Sequence, residues 1–204
     1  ATLTPEAKTR SRGRPREFDM DAALDAALRV FSERGYHAAS ISELTEAMGL
    51  ASGSIYKAFK DKRGIFLAAF AHYRKLGRRR LEAMIASAKT GREKVFQMVM
   101  YYTELSYGEA GRKGCLVVGG ANDFALLDEE AAAHVVTAFA ADEKLMADLI
   151  RTGQADGTIP KTVDPDAAAL AFLCFTKGLR VIGKTGRSRE EMMSAAEAAM
   201  KLVT

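Results

Sequence analysis

Residues 41–62, ISELTEAMGLASGSIYKAFKDK, restrict the fold of this chain more than any other stretch. Ser40 precedes a short apolar-periodic run and Glu43 follows three residues later, the spacing of a capping box. Ile41, Leu44 and Met48 recur at helical spacing. Gly49 ends that helix, because it takes left-handed backbone at little cost. Leu50 is the apolar plug between two short helices, and Ser52 or Ser54 caps the second. Ile55, Ala58 and Phe59 give the second helix a buried side. Ser52, Gly53, Ser54, Tyr56 and Lys57 are left near its start or on its outer face. A small, polar outer face with one cation and one phenol fits a DNA major groove. A helical hairpin that merely packs is the competing reading; Lys60, Lys62 and Arg63, directly after, weigh toward a polyanion.

The wider segment FSERGYHAASISELTEAMGLASGSIYKAFKDKRGIF, with Gly35, Tyr36, Gly49, Leu50, Ile55, Tyr56, Phe59 and Lys62 as anchors, resembles the tetracycline-repressor (TetR) family of bacterial regulators. The resemblance is strong over residues 18–70; beyond them only the helical outline and GCLVVGGAN look like some members. It implies an all-α fold, with a three-helix helix-turn-helix DNA-binding domain and a larger helical ligand-binding and dimerisation domain. It also implies a homodimeric transcriptional regulator, a repressor released from a palindromic operator by a small molecule. By the same resemblance Tyr56, Lys57 and Lys62 hold phosphates, while Ser42, Ser52, Gly53 and Ser54 approach backbone or bases.

Residues 1–17 form a basic arm carrying Lys8, Arg10, Arg12, Arg14 and Arg16, without apolar periodicity, and are expected to be disordered alone. Arg12-Gly13-Arg14-Pro15 is similar to an AT-hook, so Arg12, Arg14 and Arg16 are candidate minor-groove contacts; a solvated polycationic tail is the alternative. Asp19 caps a first helix over residues 20–34, with Leu24, Ala27, Leu28 and Phe31 as its buried stripe and Gly35 as its end. A long helix over residues 62–88 packs through Ile65, Phe66, Ala69, Phe70 and Tyr73. Its start belongs to a DNA-binding domain of residues 18–63 and its far end to a regulatory and dimerisation domain of residues 64–204. Its basic cluster, Arg74, Lys75, Arg78, Arg79 and Arg80, reads as a solvated face or an extra phosphate contact.

The remainder reads as helices over residues 91–107, 115–127, 129–155, 164–184 and 189–202, punctuated by glycine and proline. In the first of these, Phe96, Met100, Thr103 and Tyr107 share a face. With Cys115 and Asn122, the residues Met100, Thr103 and Tyr107 are the candidate ligand-binding set. Gly119-Gly120 weakens its own helix and permits a kink or close packing. The run 167–182 is apolar nearly all round, and the last helix is rich in alanine and methionine. These two helices are expected to pair with their copies in a dimer; an internal core helix is the alternative.

A hydrophobic content of 48% is enough for a packed core, and the net charge of +4 alone would not identify a DNA partner. Two cysteines are too few for a disulfide framework, and no secretory signal or uncharged membrane-length run is seen, so a cytoplasmic location is expected. No phosphate-binding glycine loop or HExxH occurs, and His37, His72 and His134 lack metal-ligand spacing, so no metal, cofactor or catalytic activity is expected. Cys115 follows Arg112, Lys113 and Gly114 and opens a helix, two features that favour a thiolate. It reads either as a redox or electrophile sensor or as a small buried hydrophobe, whereas Cys174 is expected to be inert in an apolar run. An architectural DNA-binding protein without an effector is the alternative function.

Overall fold

The structure is a computed structural model that describes residues 19–204. Asp19 accepts from the N–H groups of Asp21 and Ala22 and starts helix α1 (Met20–Ala38). Gly35, at φ 80 and ψ 167, interrupts the helical path where the sequence predicts an end, and one more turn runs on to Ala38. In α2 (Ile41–Met48) the Glu43 N–H donates to Ser40 Oγ at 3.1 Å while the Ser40 N–H donates to the Glu43 carboxylate at 3.0 Å, completing the capping box. Gly49 then takes φ 63, the left-handed stop that any Cβ would strain.

Helix α3 (Ser52–Phe59) departs from expectation at its start. Ala51 occupies the N-cap position and no side chain caps the helix, so neither Ser52 nor Ser54 is spent on it. Ile55 and Phe59 are buried as expected, but Ala58 is exposed. Asp61 caps α4 (Lys62–Ala86) through the Gly64 N–H at 2.8 Å. A Cβ built on Gly64 would lie 1.8 Å from the Phe59 carbonyl oxygen, so glycine is what lets the first turn of α4 sit against the end of α3.

Beyond α4 come α5 (Gly91–Glu104), α6 (Gly108–Lys113), α7 (Leu116–Asn122), a 3₁₀ turn (Phe124–Leu126), α8 (Glu129–Ala155), α9 (Pro165–Ile182) and α10 (Arg189–Ala199). Helix α6 falls in the gap that the sequence leaves between helices expected over 91–107 and 115–127, a stretch holding Gly108, Gly111 and Gly114. Gly108 does turn the chain, at φ 60, but Gly111 serves close packing: a Cβ there would come within 2.7 Å of Ser106. The single helix expected over 115–127 is instead α7 and a 3₁₀ turn. Its paired glycines favour helix weakly, and Gly120 is needed small because a Cβ would meet Val135 at 2.9 Å.

The interior forms two clusters. One joins α1, α2, α3 and the first half of α4 with Leu116, Val117 and Val118 of α7 and Val135 of α8. The other joins Leu81 of α4 with α5, the second half of α8, α9 and α10. Helices α4 and α8 both run through the two clusters, and α4 buries Phe66 and Phe70 in the first and Leu81 in the second. Each such side chain contributes about 1.5–3 kcal/mol of burial, which anchors the helix firmly at both ends.

Candidate nucleic-acid interface and regulatory cavity

The outer face of the α2–α3 pair is open. Ser42, Ser52, Gly53, Ser54 and Lys57 are exposed and Tyr56 is 52% exposed. Ile41, Ser42, Thr45, Gly49, Leu50, Ser52 and Tyr56 line a shallow groove of about 560 Å³ between the two helices. Because Ala51 has no capping side chain, the first-turn N–H groups of α3 lack a side-chain acceptor and face outward with a positive dipole end. Buried Ile55 and Phe59 orient this face by fixing the opposite side of α3.

Lys62 is placed differently from Lys57. Its ammonium donates to the His37 carbonyl at 3.3 Å and lies 4.8 Å over the Tyr36 ring, tying α4 to the end of α1. One donor is thereby engaged, and the ammonium has three. Lys60, the C-cap of α3, holds a positive φ of 70 and is exposed beside this edge. Arg12, Arg14 and Arg16 lie outside the described residues.

At the other end of α4, a small cavity of about 30 Å³ is enclosed by Tyr73, Arg74, Gly77, Arg78 and Leu81 of α4, with Tyr101, Tyr102, Leu105, Cys115, Val117, Asp142 and Lys177. One of its lining groups is the Asp142 carboxylate, 2% exposed. Asp142 accepts from Arg74 at 3.0 Å, Lys177 at 2.6 Å and the Tyr102 hydroxyl at 2.7 Å. Lys177 also stands 4.0 Å over the Tyr102 ring. Burial pushes the Asp142 carboxyl up, but Lys177 and Arg74 outweigh it and hold its pKa below the ordinary carboxylate value. Opposite, the Tyr73 hydroxyl donates to the Cys115 thiol sulfur at 3.4 Å. Burial raises the Cys115 pKa, yet the Arg180 charge, the Tyr73 hydroxyl, the Val118 N–H and Lys177 together bring it below the usual thiol value. Gly77 is small because a Cβ would lie 2.8 Å from the Tyr101 hydroxyl.

The family described as bacterial regulatory proteins, tetR family, matches residues 23–69, and the tetracyclin repressor-like C-terminal domain matches residues 91–199. The chain belongs to the TetR family. It is 27% identical over 205 residues to the HTH-type transcriptional repressor ComR of Escherichia coli K12, covering 99% of this chain and 97% of that protein. Among solved structures it is similar to a cysteine mutant of the TetR family regulator CifR complexed with 26-base-pair double-strand operator DNA. That likeness has a TM-score of 0.80 and 31% identity, over 92% of this chain and 98% of the other. Reduced NemR of E. coli shares the fold at 18% identity and a TM-score of 0.77, over 90% of this chain and 96% of that one.

The TetR assignment leaves the placement of individual residues to the geometry. Of the predicted ligand set, only Cys115 lines the cavity. Met100 and Thr103 are buried elsewhere, the Thr103 hydroxyl donating to the Val99 carbonyl at 2.9 Å. Tyr107 occupies the N-cap position of α6, and Asn122 is exposed at the end of α7. With 3.6 residues per turn, Met100 and Thr103 project from the side of α5 opposite to Tyr101 and Tyr102, which line the cavity with Leu105, and Tyr107 lies beyond the end of α5. Cys174, expected to be inert in an apolar run, is exposed on α9. Sequence reasoning missed Tyr73, Asp142 and Lys177 as a group. Asp142 is the signal that was available, a carboxylate in the otherwise apolar stripe Val135, Ala138, Met146 and Leu149 of α8. So was Arg74, read as part of a basic cluster that is either a solvated face or an extra phosphate contact. No group of residues able to hold a metal ion occurs among the described residues, and no helix there is long and apolar enough to cross a membrane.

Proposed function

We propose that this TetR-family chain is a homodimeric repressor that leaves a palindromic operator when a small effector acts at the cavity around Cys115 and Asp142. The supporting observation is that α4 belongs to both places. Its first turns pack the DNA-reading helices through Ile65, Phe66 and Phe70, and its later turns supply Tyr73, Arg74 and Gly77 to the cavity wall. A change in the cavity that favours one tilt of α4 moves the reading head, provided the effector binds the two tilts with different affinity. Ser52, Ser54 and the free N–H groups of α3 serve backbone and bases, and Tyr56 and Lys57 serve phosphates. Lys62 supports Tyr36 and reaches a phosphate only with its remaining donors.

A second reading, in which the effector is an oxidant or electrophile, draws on the lowered pKa of Cys115 and its Tyr73 and Arg180 neighbours. Both readings are tested by selecting an operator from a random duplex pool and measuring its affinity by fluorescence anisotropy. A selected palindrome should bind about a thousandfold or more tighter than random DNA; a flat ratio would favour an architectural protein instead. Treatment with hydrogen peroxide or iodoacetamide should then lower affinity in the parent chain but not in Cys115→Ser. Equal losses in both would remove the thiol reading and leave a reversible ligand.

A further inference from the structure

Beside the cavity, a larger groove of about 470 Å³ separates α1 from α4, α5 and α6, and Arg180 of α9 lines it. That volume lies within the range of small-molecule sites. Arg180 is 3% exposed. Its guanidinium donates to the Gly114 carbonyl, but Nε and Nη1 have no hydrogen-bond partner among the described residues. A buried guanidinium with donors unmet is costly unless an anion completes it. The Asp142 carboxylate is already shared by Arg74 and Lys177, and the acidic group that the Arg180 charge acts on, the Cys115 thiol, makes no hydrogen bond with the guanidinium and accepts from Tyr73 instead. The other basic residues with identified partners in the groove are matched: Arg80 pairs with Glu104 at 3.3 Å and Lys113 with Glu109 at 2.6 Å. On the α1 wall Asp25 is held by His72 at 3.0 Å. The apolar remainder of the lining includes Leu28, Leu76 and Leu105.

We infer that this groove takes a small organic monocarboxylate, its anion on Arg180 and its apolar body against Leu28, Leu76 and Leu105. A guanidinium presents planar paired donors that match a carboxylate, and a groove that sets the unmet donors of Arg180 near apolar side chains suits a monoanion carrying hydrocarbon. One wall of the groove is α1, which also packs the reading head, so occupancy wedges directly between that head and the regulatory helices. This regulatory consequence rests on the function proposed above; the anion site itself does not.

The test uses the full chain with benzoate and hexanoate as probes and benzamide and hexanamide as their neutral counterparts. Isothermal calorimetry without DNA should show binding of the carboxylates and about tenfold or more weaker binding of the amides, because charge-assisted bonds to a buried guanidinium carry the recognition. Arg180→Gln should lose the carboxylate preference, and Arg180→Lys should retain part of it. Should Arg180→Gln fail to fold, the acid-to-amide comparison on the unmodified chain still decides. Absence of heat for all four probes, or equal affinity for acid and amide, would overturn the site. Carboxylate binding without any change in operator affinity would leave the anion site standing and overturn the regulatory consequence drawn from it.

Discussion

Cys115 and Asp142 show how much a buried residue depends on its neighbours. Each is an acid in a place that disfavours charge, and each has its pKa lowered because cations outweigh the burial. For Asp142 the sign has a consequence for stability. Its folded pKa lies below the ordinary carboxylate value, so the stabilisation from the ionised form is complete above about pH 4 and is lost as pH falls through the lower folded value. Asp142→Asn removes one partner from Arg74 and Lys177 together and should cost about 3 kcal/mol at neutral pH, since it leaves two partly buried cations unpaired. Urea unfolding across an acid series should show the gap between parent and variant narrowing on acidification. A gap that stays constant down to about pH 2.5 would mean that the charge of Asp142 contributes nothing.

At the scale of helices, close approach at glycines fixes the geometry. Gly64 lets α4 start against the Phe59 carbonyl, and Gly91 lets α5 cross α8 where a Cβ would lie 2.0 Å from the Gly153 nitrogen. The first of these sets the angle between the reading helix and the long helix through both clusters. Gly64→Ala forces the two apart, and overpacking of this kind costs about 2 kcal/mol. It should lower the thermal midpoint and weaken operator binding together, read by calorimetry and anisotropy. An alanine variant that melts and binds like the parent would show that α3 and α4 accommodate the extra carbon by sliding, and that their angle is not fixed there.

For the whole molecule, the apolar residues exposed on α9 are the feature the isolated chain leaves unexplained. Leu170 is 50% exposed, and Val181 and Ile182 are exposed near the other end of the same helix. Phe175, Gly178, Leu179, Ile182, Met192 and Ala195 line a further groove between α9 and α10. Reading two successive major-groove faces takes two heads about 34 Å apart, and the exposed apolar surface of α9 is where two copies of the proposed dimer would pair. Leu170→Glu should convert a sedimenting dimer to a monomer with unchanged far-ultraviolet circular dichroism, by placing an unpaired charge in the interface. Leu173 of α9 is half-buried, and Ala196 of α10 is wholly buried in its own chain, so a glutamate at 196 would disrupt the fold rather than the assembly. A monomeric parent chain would dispose of the dimer surface.

The sequence by itself determined the reading head. Its signals are local: Ser40 with Glu43, Gly49 with its left-handed backbone, and Ile55 with Phe59 all act within a turn or two of helix, where spacing dictates contact. It also determined the all-helical class and the long run of α4. Only the tertiary structure decided the cavity. Arg74, Asp142 and Lys177 come from three different helices and Cys115 from the N-cap of a fourth, and whether they meet depends on how those helices rotate about their axes. On α5 a rotation of about half a turn separates the expected face, Met100 and Thr103, from the observed one, Tyr101 and Tyr102. Periodicity does not resolve that rotation in a helix buried on nearly every side, because apolar residues then mark no single face.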